Sequence, residues 1–351
     1  MFRDLYKKCG KNLRDLQEER RRKLLEEQKQ KRLILQDLQR DVDYSENGIE
    51  GKYHPCAGKR GNSRALKDAY DADYTLQLSE WLRECPENLS EWIMVPCPKG
   101  QRCFLMATGG CTYMYSKKGR RRLSFHTLLP GGNELRGSKM RTLIDCVYSP
   151  DQDTFYVLDV IIYGNQEFVH CESQFRFFWL RSKFDECEGI DQRNRCNEKP
   201  LKLLERYDFE NIADVAEVLL RFPIWPENEP ALDGWLFYHK ESSYTCGSTP
   251  LVGWLFPFMI PDVLGIPVNE NYQRPANYTE PLAYMDEFDA ELASKRKKLG
   301  NKYFNSTDMD TLESIGNYED EETNAGFEAE QKLDVDEFDK QFSTCDDKLI
   351  D

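Results

Sequence analysis

Trp92-Ile93-Met94-Val95-Pro96-Cys97-Pro98-Lys99-Gly100-Gln101-Arg102-Cys103-Phe104-Leu105-Met106-Ala107 sets the pattern for the middle of this 351-residue chain. Two apolar runs rich in Val, Ile and aromatic residues flank a turn with proline and glycine, Pro98 to Arg102. That arrangement reads as two strands joined by a tight connection. Working outward, the signature recurs at Cys111-Thr112-Tyr113-Met114-Tyr115, Thr142 to Tyr148, Thr154 to Ile162 and Ser173 to Leu180, with Gly, Asn, Asp or Pro between the runs. Short strands with frequent turn signals predict mainly antiparallel sheets. Helices are expected at Leu76–Glu84 and Asn211–Arg221, with Asp262 opening a further short turn. The fold class is therefore α+β.

Composition supports a buried core, with 40% apolar and 12% aromatic residues. No run of about eighteen apolar residues occurs and charge begins at Arg3, so neither a membrane span nor a secretory signal is read, and an intracellular chain is expected. The twelve cysteines form no C-x-x-C pair and meet no histidine cluster, which points to reduced core thiols rather than a zinc site. No metal and no cofactor is expected.

The net charge of −14 is unevenly spread. Residues 1–40 carry thirteen Lys/Arg against seven Asp/Glu, and residues 301–351 carry sixteen acids against four bases. From Leu13 to about Arg40 strong helix formers run without Gly or Pro. The apolar positions Leu13, Leu16, Leu24, Leu25, Leu33 and Leu35 make too narrow a stripe for a core-facing helix. This arm is expected not to fold onto its own domain; a solvated helix and a partner-binding helix both fit. Residues 44–65, with Gly48, Gly51, Pro55, Gly58 and Gly61, read as a linker. Four zones follow: an arm at 1–43, the linker at 44–65, a folded domain at 66–285, and an acidic, mostly disordered tail at 286–351.

Cys97-Pro98-Lys99-Gly100-Gln101-Arg102 resembles the Lys-x-Asp-Gly-x-Arg motif of RNA-capping guanylyltransferases and polynucleotide ligases, with Cys97 in place of the lysine. In those enzymes the lysine amine attacks a nucleotide α-phosphate, and a thiol does not replace it in a phosphoramidate intermediate. Tyr156-Val157-Leu158-Asp159-Val160-Ile161 is similar to the Leu-Asp-Gly-Glu pattern but has Ile161 where the acid stands. Asp233-Gly234-Trp235-Leu236-Phe237 resembles the Asp/Glu-Gly-x-x-Phe strand. The resemblance implies a guanylyltransferase-like, GTP-binding core that has kept its scaffold and lost its catalytic groups, hence no enzyme.

Longer segments carry a more specific likeness. Leu78-Ser79-Glu80-Trp81-Leu82, Leu128-Leu129-Pro130-Gly131-Gly132-Asn133, Phe175-Arg176-Phe177-Phe178-Trp179 and Gly247-Ser248-Thr249-Pro250-Leu251-Val252-Gly253-Trp254-Leu255 are similar to those of the snurportins. The likeness spans Leu76 to Val268 and, more weakly, the N-terminal helix. It implies an import adaptor that binds the 2,2,7-trimethylguanosine cap of spliceosomal small nuclear RNAs. The cap site it implies comprises Leu78, Ser79, Trp81, Cys97, Gly100, Gln101, Arg102, Lys117, Trp179 and Trp254. In it Trp254 stacks on the base and Trp81 lines the edge bearing the N2 methyl groups. Ser79 and the backbone near Leu78 reach the guanine edge, Arg102 and Lys117 neutralise the phosphates, with Lys118 an alternative to Lys117, and Gly100 lets backbone N–H groups approach the ligand. Arg120-Arg121-Arg122 departs from the vertebrate-like pattern; it reads as a solvated turn or as an extension of the phosphate surface.

Read without the resemblance, Trp81 is a core residue, as are Trp92, Trp179, Trp225 and Trp235. Lys117 is then a solvated turn residue, Arg102 a surface strand position and Ser79 a helix cap. The arm, through Arg20, Arg21, Arg22, Lys23, Lys29, Lys31 and Arg32, resembles an importin-β-binding helix; beyond Arg32 only Arg40 continues the basic series. An export receptor for recycling and a shuttling life between nucleus and cytoplasm are implied, and no membrane. Two other classes remain: a capping-type nucleotidyltransferase, and a scaffold without nucleotide affinity.

Overall fold

The computed structural model describes residues 13–39, 74–117, 119–137 and 139–304. The expected linker at 44–65, Lys118 and the acidic stretch beyond 304 lie outside them. In chain order come helix α1 (Leu13–Gln39) and strands β1 (Gln77–Trp81), β2 (Trp92–Pro98), β3 (Gln101–Thr108), β4 (Cys111–Ser116), β5 (Arg121–Phe125), β6 (Arg141–Ser149), β7 (Thr154–Tyr163) and β8 (Gln166–Glu167). Helix α2 (Ser173–Asp185), strands β9 (Leu201–Leu203) and β10 (Tyr207–Asp208), and helix α3 (Ile212–Leu219) follow. Strands β11 (Leu232–His239) and β12 (Gly247–Leu255) and helices α4 (Ile260–Leu264) and α5 (Pro281–Phe304) complete the described chain.

The Pro98–Arg102 turn hands the chain from one sheet to another. Strand β2 belongs to the sheet β1-β12-β11-β2-β10, and β3 to the sheet β5-β4-β3-β6-β7-β8, with β9 beside β7. Pairing is antiparallel except for β1 with β12 and β7 with β9. The α+β class with mainly antiparallel sheets holds. Val95 and Cys97 of β2, Val147 of β6, Leu158 of β7 and Leu236 of β11 share one buried cluster, which joins the sheets. Gly100 marks the crossing: a Cβ there would overlap the carbonyl oxygen of Tyr148. Only glycine fits this backbone passage.

Two elements differ in type from the sequence reading. Leu76–Glu84 holds strand β1, whose parallel partner β12 lies far away in sequence; a nine-residue window carries no trace of that pairing, and tertiary context overrides local preference. Ser173–Leu180 lies in α2. Its aromatics favour strands, but the buried positions Ser173, Arg176, Phe177, Leu180 and Phe184 fall at helical spacing, while Phe175 and Phe178 face outward.

The arm is docked on its own domain, contrary to expectation. Arg21 is 3% exposed and donates through Nε to the Pro250 carbonyl at 3.1 Å, and its guanidinium lies 5.1 Å from the Trp92 ring centroid. Gln28 exchanges hydrogen bonds with Thr245 and Ser243, and Arg32 donates to Glu241 O and Ser243 Oγ. A polar face does the docking, which an apolar-stripe criterion does not register. At the other end, α5 runs through residue 286 without a break. Tyr284, Met285 and Phe288 are buried against the α3–β11 cluster, so ordered structure continues past that boundary.

Candidate functional site

Where the sheets part beside the β2–β3 turn, a cavity of about 550 Å³ opens. Leu78, Ser79 and Trp81 of β1 line it together with Trp254 of β12. Cys97 enters from the end of β2, Gly100 from the turn, Arg102 from β3 and Lys117 from just beyond β4. Eight of the ten candidate residues thus converge. Gln101 is exposed outside the cavity. Trp179 lies on α2, packed on Phe168 at 5.0 Å and Phe175 at 6.2 Å, and does not line this cavity. Ser79 caps no helix, because its segment is a strand.

Strand pairing brings the two indoles together. Trp81 and Trp254 are register partners in the parallel β1–β12 pair, so both side chains leave the same face. Phe256 packs against both, at 5.7 Å from Trp81 and 6.2 Å from Trp254. The Trp254 ring lies over Gly234 of β11, where a Cβ would collide with its six-membered ring. Gly234 is therefore part of the site's architecture rather than a relic of a motif.

Arg102 is held by a buried carboxylate. Its Nε and Nη2 donate to both carboxylate oxygens of Asp145 at 2.6 and 2.8 Å, and Nη2 also reaches Gln77 O at 3.2 Å. Asp145 is fully buried and also accepts from the Tyr244 hydroxyl at 2.8 Å. Burial works against the guanidinium charge, and the Asp145 carboxylate outweighs it, raising the Arg102 pKa. Arg102 therefore lines the cavity as one half of an ion pair with Asp145. Sequence reasoning had no access to this, since Asp145 meets it only across the β3–β6 pair.

Cys97 is 7% exposed. Burial, followed by the Asp233 carboxylate, pushes its thiol far above the ordinary range, so at neutral pH it stays protonated and unreactive. Ile161 is fully buried in a separate apolar cluster.

Further residues line the cavity that the sequence did not assign to it: Gln17 and Arg20 of α1, Glu80, Asp233, and Phe288, Asp289 and Leu292 of α5. Arg20 pairs with Glu80 at 2.5 Å, and Gln17 Nε2 donates to Trp81 O at 3.0 Å. The α5 residues had a readable signal, since Tyr284, Met285, Phe288 and Leu292 repeat at helical spacing. Among the described residues no group of three or more His, Cys, Asp or Glu suits a metal ion. Two indole faces beside carboxylates and guanidinium groups suit a flat, electron-poor ring carrying an anionic extension.

Comparison with solved structures finds the ligase domain of M. tuberculosis LigD, with 12% identity over 52% of this chain and 58% of that one at a TM-score of 0.32. The mycobacterial DNA ligase D complexed with ATP and MES matches at 12% identity over 52% and 59%, TM-score 0.34. The Chlorella virus DNA ligase-adenylate matches at 12% over 52% and 67%, TM-score 0.32. The alignments thus span under two thirds of the two mycobacterial chains. Family models are more specific. That of the Snurportin1 m3G cap-binding domain matches residues 75–257, and that of Snurportin1 matches residues 5–41. The first spans just over half of the 351 residues and encloses both Trp81 and Trp254, and the second takes in all of α1; the chain belongs to the snurportin family.

Proposed function

We propose that the protein binds the 2,2,7-trimethylguanosine cap of spliceosomal small nuclear RNAs and acts as the nuclear import adaptor for the particles that carry them. The observation that carries this reading is the register pairing of Trp81 with Trp254, both lining one cavity, in a domain whose family model is named for that cap. A 7-methylguanine base is cationic, and stacking on an indole contributes about 1–3 kcal/mol. Methylation of N2 removes donors that would lose water on burial, so an apolar edge at Trp81 favours the trimethylated base. At the rim, Arg20 is 54% exposed in a pair with Glu80. An exposed pair of this kind is weakly held, and Arg20 can exchange the carboxylate for a cap phosphate, alongside Lys117.

In this reading the cap is held and not altered: no amine stands at Cys97, and its thiol is protonated. Importin β is the partner of α1. Because Arg20, Arg21 and Arg32 contact the chain's own domain, receptor binding requires α1 to leave its dock. Arg22, Lys23 and Lys29 are exposed for the first encounter. Lys31 is half-buried beside them. Shuttling between nucleus and cytoplasm, with an export receptor for recycling, completes the proposal.

Tryptophan fluorescence titrated with trimethylated and monomethylated cap analogues tests it. Strong quenching by the trimethylated analogue, lost in Trp254→Ala with an unchanged melting temperature, is expected; no response to either analogue would leave a scaffold. Incubation with radiolabelled GTP followed by denaturing electrophoresis tests the non-enzymatic part, and a covalent GMP adduct would overturn it.

A further inference from the structure

The cap-domain match ends at residue 257, yet the cavity does not. Phe288, Asp289 and Leu292, all from α5, line it, and the first two meet Trp81. The indole Nε1–H donates to Asp289 Oδ1 at 3.0 Å. Phe288 meets the same ring edge-on, with centroids 5.4 Å apart and planes at 90°, and Phe256 packs at 5.7 Å and 56°. Arg83 ties the helix down through Asp286 at 2.9 Å and Asp289 at 3.8 Å. On the inner side, Met285 is fully buried and Tyr284 and Phe288 are 7% exposed, so α5 is anchored in the core beneath.

We infer that α5 is a wall of the cap pocket and that Asp289 is a positioning residue, which fixes the plane of Trp81 for a methylated, cationic purine. This deepens the cap-binding reading and rests on it. A tryptophan ring on an edge strand has two free torsions, and a site that discriminates two methyl groups needs them fixed. The hydrogen bond engages the ring's sole polar atom, so the surface left to the ligand is carbon. The Asp289 carboxylate adds negative charge at the edge of that ring, where its N–H points, which strengthens the attraction of the indole for a cation.

The experiment uses the full chain and three proteins: wild type, Asp289→Asn and Asp289→Leu. Asparagine keeps an acceptor for the indole N–H and loses the charge; leucine loses both. Because the Asp289 side chain is 51% exposed, melting temperatures should agree closely. Expected for Asp289→Leu is a loss of about tenfold in affinity for the trimethylated analogue. Its preference over the monomethylated analogue should narrow, and the Trp81 Nε1–H should exchange faster with solvent in NMR spectra of the free protein. Asp289→Asn should retain slow exchange and most of the preference. If wild type binds the trimethylated analogue and Asp289→Leu binds it equally well with the same preference, the α5 inference falls alone. If wild type binds neither analogue, the functional reading falls and the inference goes with it.

Discussion

Trp81 and Trp254 stand opposite one another in a parallel strand pair, and an irregularity in that pair puts them there. Ser79 is matched with Thr249, but the next partner of β1, Glu80, is Gly253. Without that shift Trp81 would face Leu251, which is fully buried. The extra residues include Pro250, which has no N–H to contribute to a ladder and whose carbonyl accepts from Arg21 of α1. The bulge that aligns the indoles thus also supplies a docking point for the arm.

Gly234→Ala should weaken cap binding from outside the ligand-contacting set. The added methyl collides with the Trp254 ring, and overpacking of this kind costs about 1–3 kcal/mol. Trp254 faces the cavity and can yield, so the expected result is about a tenfold loss of quenching affinity with a modest drop in melting temperature. Wild-type affinity in this variant would show that the ring's seat on Gly234 is not needed.

Breaking the Arg102–Asp145 pair should damage stability rather than phosphate recognition. Removing one partner leaves a buried charge uncompensated, at about 3–5 kcal/mol. Arg102→Gln and Asp145→Asn should therefore both lower the denaturant midpoint sharply. The double variant should recover part of the loss, as a double-mutant cycle measures. A stable Arg102→Gln protein with selectively reduced affinity for triphosphate-bearing analogues would return Arg102 to the ligand.

Arg21→Ala should release the arm. The Pro250 carbonyl loses its donor, Gln17 and Glu18 lose their shared partner, and the Trp92 ring loses its cation. Hydrogen exchange across Gln17–Leu35 should rise strongly while the strands stay protected. Equal protection in both proteins would mean that the remaining contacts of Gln28 and Arg32 suffice.

His170 reports on the same dock. Burial, then the positive charges of Lys31 and Arg32, depress its pKa to about 4. The folded state therefore binds fewer protons than the unfolded state between roughly pH 4 and 6.5. Stability falls as pH drops through that window and is indifferent to His170 above it. In Arg32→Gln the pKa should move upward, toward the ordinary histidine range, which an NMR titration of the imidazole reads directly. A fixed value would leave burial and Lys31 as the causes.

Much of this protein is written locally. Strands β2, β3, β4, β6 and β7 follow from runs of β-branched and aromatic residues between turn residues, and helix α3 from its compact apolar stripe, because these patterns act within a single element. The run ending in Trp254-Leu255, the Cys97 turn and the Leu78–Leu82 segment carried the family resemblance and, with Lys117, eight of the cavity residues. Other features depend on partners distant in sequence. Strand β1 exists because β12 pairs with it, Arg102 is neutralised because β6 brings Asp145 across, the arm docks through polar side chains, and α5 closes on Trp81. Residue types and their spacing are properties of the chain, whereas which charges cancel, which rings meet and which helices cover a cavity depend on packing between segments that no local window contains.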